Sequence, residues 1–165
     1  MQKIAQFSKV SAKRFATDWL DTFGEAETVY EKIELPKRAT SGSAGYDFYM
    51  PLDLTLNPGQ TAKIPTGIRV RIDNGWVLQL YPRSGLGFKY RLQLNNTVGI
   101  IDSDYFSSSN EGHIFIKITN DSNENRILTF KQGDGFAQGI FVKYGITVDD
   151  DTHEIRDGGF GSTSK

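Results

Sequence analysis

"TAKIPTGIRVRI", residues 61 to 72, decides the fold. Ile64, Ile68, Val70 and Ile72 are separated by polar or small residues at the period of two expected of a half-buried strand. "GHIFIKITN" (112–120) repeats the pattern with Ile114, Ile116 and Ile118. Between such runs lie "NPGQ" (57–60), "DNGW" (73–76) and "KQGDG" (131–135), whose Gly, Pro and Asn supply the dihedrals of chain reversals. Short strands at this spacing predict an all-β sandwich or barrel.

One segment departs from that period. In "SAKRFATDWLDTF" (11–23), Phe15, Trp19 and Phe23 recur every four residues, Ser11 stands where an N-cap belongs and Gly24 where a helix stops. A single short N-terminal helix is predicted, as a prop over the β core or as a partner-binding element. "SSSNEG" (107–112) and the Gly/Ser tail have the composition of mobile loops.

The 165 residues suit one domain, taken here as 1–155 followed by a flexible lid at 156–165. Nineteen Lys and Arg against twenty Asp and Glu give no positive field for a nucleic acid, although a small anion at a focused site remains open. With no cysteine, no signal-peptide core in "MQKIAQFSKV" and no membrane span, the expectation is a soluble cytoplasmic protein without nucleic-acid or membrane partners.

Five stretches hold more Gly, Asp, Arg and Ser than a β scaffold requires: "AGYDFYMP" (44–51), "PRSGLGFKY" (82–90), "NTVGIIDSDY" (96–105), "GDGFAQG" (133–139) and "RDGGFGSTSK" (156–165). Arg83 and Ser84, beside Gly85, make a local kit for phosphate oxygens, or a strand end with a solvated Arg. Asp102 and Asp104 are candidates for a general base and its charge partner or for magnesium-bound water, or simply form a solvated turn. Tyr105 offers a ring to a sugar or base, or to the core. In the tail, glycines allow backbone N–H groups to converge on an anion, Arg156 adds charge and Phe160 a stacking surface. Neither the P-loop nor the Rossmann pattern is present. His113 and His153 lack ligand partners at metal spacing and read as a strand histidine and a surface histidine.

In order and spacing these stretches resemble the five motifs of the homotrimeric dUTP pyrophosphatases (dUTPases), from about Leu35 to Lys165, most closely in "SAGYDFY", "PRSGLG", "GIIDSDY" and "GGFGST". The resemblance implies a β jelly-roll subunit, three sites shared between three chains, and magnesium-aided hydrolysis of dUTP to dUMP and pyrophosphate. It implies that Asp102 activates the attacking water, that Asp47 holds Mg2+ through water, and that Ser84, Arg83, Gly85 and Gln138 serve the phosphates and the water. A hairpin from Leu94 to Asp102 would read uracil with backbone at Gly99 and Ile101 and with the Asn96 amide, and Tyr105 would pack on deoxyribose. Arg156 would meet the γ phosphate, Phe160 the base, and Gly161, Ser162 and Thr163 the phosphates.

Two departures accompany the match. Gly135 stands where the family's fourth motif carries Arg, and "FSSSNEG" follows the Asp-Tyr pair as an insertion, expected to form a longer loop near the site. A dCTP deaminase shares this fold, but Lys117 stands where its catalytic Glu would fall. A nucleotide-binding regulatory protein on the same scaffold is the third reading.

Overall fold

The computed structural model describes residues 1–24, 29–154 and 156. In chain order its elements are β1 (Ala5–Lys9), α1 (Ala12–Phe23), β2 (Lys37–Arg38), β3 (Tyr46–Tyr49), β4 (Leu54–Leu56), β5 (Thr61–Pro65), β6 (Ile68–Ile72), β7 (Trp76–Pro82), α2 (Ser84–Tyr90), β8 (Leu92–Leu94), β9 (Gly99–Ile101), β10 (Phe115–Asn120), β11 (Leu128–Phe130) and β12 (Gly135–Lys143). Two 3-10 turns cover Val29–Lys32 and Ser103–Ser107. The fold is all-β, as the alternating runs predict. No helix among the described residues is long and apolar enough to cross a membrane.

The largest sheet has the order β2-β3-β12-β7-β9, with smaller sheets β5-β10-β8, β1-β6 and β11-β4. All the pairings are antiparallel. Alternation places one face of each strand inward: Ile116 and Ile118 of β10 are buried while Lys117 between them is exposed. Together with Phe48, Met50, Ile64, Ile68, Leu78, Leu80 and Phe136 they form one contiguous core, the main source of hydrophobic stabilisation. The reversals fall where the turn signals stand, closed by Gln60 N–H to Asn57 O (2.9 Å), Trp76 N–H to Asp73 O (3.3 Å) and Asp134 N–H to Lys131 O (3.0 Å).

Helix α1 has the predicted caps. The Arg14 N–H donates to Ser11 Oγ (3.1 Å), and Gly24 ends the helix at φ 72°, its N–H bonded to Leu20 O. Phe15 and Trp19 bury a second cluster with Val10 and Val29, so the helix covers the β scaffold as a prop. It docks beside Gly67, where a glycine is required twice over: φ is +72°, and a Cβ would stand 2.4 Å from Ile33 Cδ1.

The expectation of a single helix is too low, because "SGLGFKY" forms α2. Two glycines hide it from propensity, but Leu86 and Tyr90 pack on the main core and Arg91 ends the helix in the left-handed region, its N–H returning to Gly87 O at 2.9 Å. The stretch 107–112, expected to be mobile, is also tied down. Ser108 is buried with its hydroxyl on Tyr105 O (2.7 Å), and the Arg69 guanidinium stacks 3.7 Å from the Phe106 ring centroid. Glu111 accepts from both the N–H and the hydroxyl of Ser11 (2.8 and 2.6 Å), setting a carboxylate at the positive end of α1. Those bonds, with Ser11 Oγ first, hold the Glu111 carboxyl below its usual range. Ser, Asn and Gly suit tight turns as well as linkers, so composition alone did not separate the two.

Candidate active site

Strand β7 organises the candidate residues into two groups. Gln138 of β12 stands opposite Asp47 of β3 on one side and Tyr81 of β7 on the other, so sheet register makes the amide and the carboxylate neighbours. Just beyond Tyr81 the chain turns at Pro82 into α2, bringing Arg83, Ser84 and Gly85 to the same end. Arg83 Nε lies 3.3 Å from Asp47 Oδ1, and Gln138 Nε2 donates to Pro82 O at 3.2 Å. Pro82, Arg83, Ser84, Gly87 and Phe88 line an open depression of about 280 Å³.

Gly135 belongs to this end. A Cβ there would lie 2.6 Å from Arg83 Nη1, so the missing side chain leaves the space that the Arg83 side chain occupies. The register shift in β12 between Gly135 and Ala137 bends the strand at the same point.

The second group sits at the other end of β7. Ile101 of β9 pairs with Leu78, and the antiparallel course carries Asp102 further from Pro82. Asp102 opens the 3-10 turn with no side-chain cap bond, leaving its carboxylate half-exposed. Arg156 bridges the acidic pair, Nη2 to Asp102 Oδ2 at 2.5 Å and Nε to Asp104 Oδ1 at 2.9 Å, and its guanidinium lies 5.9 Å from the Tyr105 ring centroid. Tyr105 is buried and its hydroxyl donates to His113 O at 2.7 Å. Burial, the largest cause, raises the pKa of that phenol, which keeps it a donor.

Asn96 is exposed in the reversal between β8 and β9, where Thr97 takes a left-handed φ of 65° and donates to Leu94 O. That reversal is not the simple hairpin expected: among the described strands, β8 pairs with β10 and β9 with β7. Gly99 and Ile101 are buried in β9, with Ile100 exposed between them. Phe160, Gly161, Ser162 and Thr163, and with them the lid, lie outside the described residues.

The two groups do not meet within one chain. Asp102 falls level with Val77, six strand residues from Arg83, and at 3.3 Å per residue this is about 20 Å. No three His, Asp or Glu side chains converge as a metal cage among the described residues.

Sequence reasoning assigned His113 no role, yet it is fully buried and joins α1 to the sheets. Its Nδ1 lies 2.5 Å from Asp18 Oδ2, and Nε2 accepts from Gly67 N–H at 2.8 Å. Because Nε2 is an acceptor, the ring is neutral with its proton on Nδ1. Burial, the largest cause, lowers its pKa from 6.5 despite the carboxylate. Burial alone would raise Asp18, but the bonds from His113 and Arg14 outweigh it and leave the carboxyl lowered. Positions 95 residues apart leave no local signal of such a pair.

Comparison with known proteins bears on both groups. The family model for dUTPase matches residues 31–164. A deoxyuridine 5'-triphosphate nucleotidohydrolase of Lactococcus lactis is 38% identical over 144 residues, 84% of this chain and 95% of that protein. Among solved structures, a dUTPase from Streptococcus mutans aligns with a TM-score of 0.63 at 29% identity, over 86% of this chain and 97% of its own. A mutant dUTPase from phage phi11 of S. aureus, described with a structural Mg(II) ion, aligns at 0.64 and 22% identity over 92% and 98%, a likeness of fold.

Proposed function

The chain belongs to the dUTPase family, and we propose that it hydrolyses dUTP to dUMP and pyrophosphate at sites shared between copies of a homotrimer. The observation that carries the shared site is the separation along β7. Asp102 and the Arg83–Ser84 corner are about 20 Å apart along β7 in one chain, while in-line attack needs base, water and phosphate within hydrogen-bond reach. A second copy that sets its Asp102 end against the Ser84 end of the first removes that gap. Phe88, 93% exposed beside the phosphate group, and Ile100, exposed on edge strand β9, are apolar surfaces that such contact would cover.

At the phosphate end, Arg83 offers a planar fork, Ser84 a hydroxyl toward the bridge between α and β phosphates, Gly85 close backbone approach, and Gln138 an amide for the water and phosphate oxygens. Asp102 takes a proton from water as its oxygen adds to the α phosphorus; the bond to the bridging oxygen breaks and pyrophosphate leaves. The donor set suits Mg2+, which binds through one or two carboxylates, substrate phosphates and retained water rather than a protein cage. Asp47 would hold the ion through water, and when bound it supplies neutralising charge to the triphosphate.

For the nucleoside, backbone at Gly99 and Ile101 and the Asn96 amide meet the uracil edge, and Tyr105 lies under deoxyribose. Arg156 exchanges its carboxylate partners for the γ phosphate, freeing Asp102 for the proton. Phe160 stacks on the base, and Gly161, Ser162 and Thr163 wrap the phosphates as a closing lid. A deaminase reading gains nothing from the fold, since Lys117 pairs with Lys63 on an exposed face without a carboxylate.

Incubation of the purified protein with dUTP, dCTP, dTTP and UTP in the presence of Mg2+, with pyrophosphate and ammonia both measured, tests the assignment. Pyrophosphate from dUTP alone is expected. Ammonia from dCTP, or indifference to the base, would overturn it.

A further inference from the structure

The inserted loop has a polar centre that the proposed mechanism does not use. Asn110 Nδ2 donates to the Tyr105 hydroxyl at 2.8 Å, and that hydroxyl donates in turn to His113 O at 2.7 Å. The amide cannot be turned over, because Oδ1 accepts from the Gly112 N–H (3.1 Å), which can only donate; Ser108 Oγ, whose single proton is shared with Tyr105 O, stands 2.7 Å away. The other end of the chain of contacts is equally fixed. His113 is held through both ring nitrogens by Asp18 of α1 and Gly67, and the Arg14 fork grips Asp18.

We propose that Asn110 is a positioning residue for sugar discrimination, pinning the Tyr105 hydroxyl on His113 O so that the ring holds its place against an incoming 2'-hydroxyl. This rests on the reading of the protein as a dUTP hydrolase with Tyr105 under the sugar. The physical reason lies in how steric rejection works. A ring excludes one added oxygen only if it does not yield, and a displacement of about 1 Å is enough to admit the atom or to spoil alignment. Packing limits the Tyr105 ring on its faces; the hydroxyl lies on the χ2 axis, so its hydrogen bonds stop the χ1 swing that would carry the far end of the ring away. With the hydroxyl both donating and accepting, that end is tied to the insertion on one side and, through His113, to α1 on the other. The insertion and the N-terminal helix, which lie outside the nucleotide motifs, thereby acquire one shared task.

The test is a double-mutant cycle read as the ratio of kcat/KM for dUTP to that for UTP, with Mg2+ and the full-length protein. Asn110→Ala and Tyr105→Phe are each expected to lower the ratio about tenfold, the scale of one lost hydrogen bond, through a higher dUTP KM and faster UTP turnover. The double variant should fall no further than either single one, because without the hydroxyl Asn110 has nothing to hold. A folded Asn110→Ala protein with an unchanged ratio, or losses that simply add, would overturn the proposal. If Asn110→Ala does not fold, Tyr105→Phe decides alone, and an unchanged ratio there is equally fatal. Tyr105→Ala separates this from the underlying reading: an unchanged ratio in that variant removes Tyr105 from the sugar site, and the proposal falls with its premise.

Discussion

The two ends of β7 hold the same kinds of group, an arginine facing a carboxylate, by opposite means. At the Pro82 end, sheet register sets Gln138 opposite Asp47, and the start of α2 brings Arg83 to the same carboxylate. At the Leu78 end, Asp102 has left the edge strand, and its partner Arg156 comes from 54 residues further along the chain. On the proposed reading, a bound phosphate would meet donors that sheet register and the start of α2 have already gathered, with Arg83 turning from Asp47. At the second, the carboxylate must first lose a counter-ion. On that reading, the first end would hold the substrate and the second would commit it to reaction.

The largest effect is expected at the second end. Asp102→Asn should reduce kcat by about a thousandfold, within the usual range for a general base, with dUTP affinity little altered. Near-normal turnover, measured as pyrophosphate release, would show that the base is misassigned. The division itself can be broken by mixing. Asp102→Asn and Ser84→Ala chains, each nearly inactive, should recover activity at about one quarter of the sites when unfolded and refolded together in equal amounts, since each shared site then has a one-in-two chance twice over. No recovery, with hetero-oligomers verified by mass, would place both groups in one chain.

A smaller loss should follow Gly135→Ala. The new Cβ would displace Arg83 from its present position, with about a tenfold loss in kcat/KM for dUTP and little change in Asp102 chemistry. An unaltered kcat/KM would mean that Arg83 is not held there for the phosphates. The smallest effect concerns α1, which reaches the second end only through His113 and the Tyr105 hydroxyl. Since His113 is lowered from 6.5, the unfolded chain binds its proton more readily, so this stabilisation is complete above that pH and is lost as pH falls below it. Asp18, lowered from 3.8, adds a further loss in stronger acid. Between pH 7 and pH 5 the melting temperature should fall, and His113→Gln should flatten that slope.

The strands were legible in the sequence because alternation in "TAKIPTGIRVRI" and "GHIFIKITN" is a local property of half-buried sheets. Helix α1 was legible from Phe15, Trp19, Phe23 and its caps. Helix α2 was not, since Gly85 and Gly87 oppose it and tertiary packing decides. The motifs singled out Asp47, Arg83, Ser84, Asp102, Gln138 and Arg156 as candidates, but their sorting to opposite ends of one strand depends on register, which no spacing encodes. Nor does any local pattern join Ser11 to Glu111 or Asp18 to His113.

Those last pairs also bear on how the chain is made. They span 100 and 95 residues, so the polar anchors of α1 are supplied by a segment far along the chain from the helix. The Phe15 and Trp19 face does not wait for them, since Val10, Val29, Tyr30, Ile33 and Leu52 pack on it from nearby in the chain. In chain order the local apolar contacts come first, and the bonds to Glu111 and His113 lock α1 onto the sheets after them.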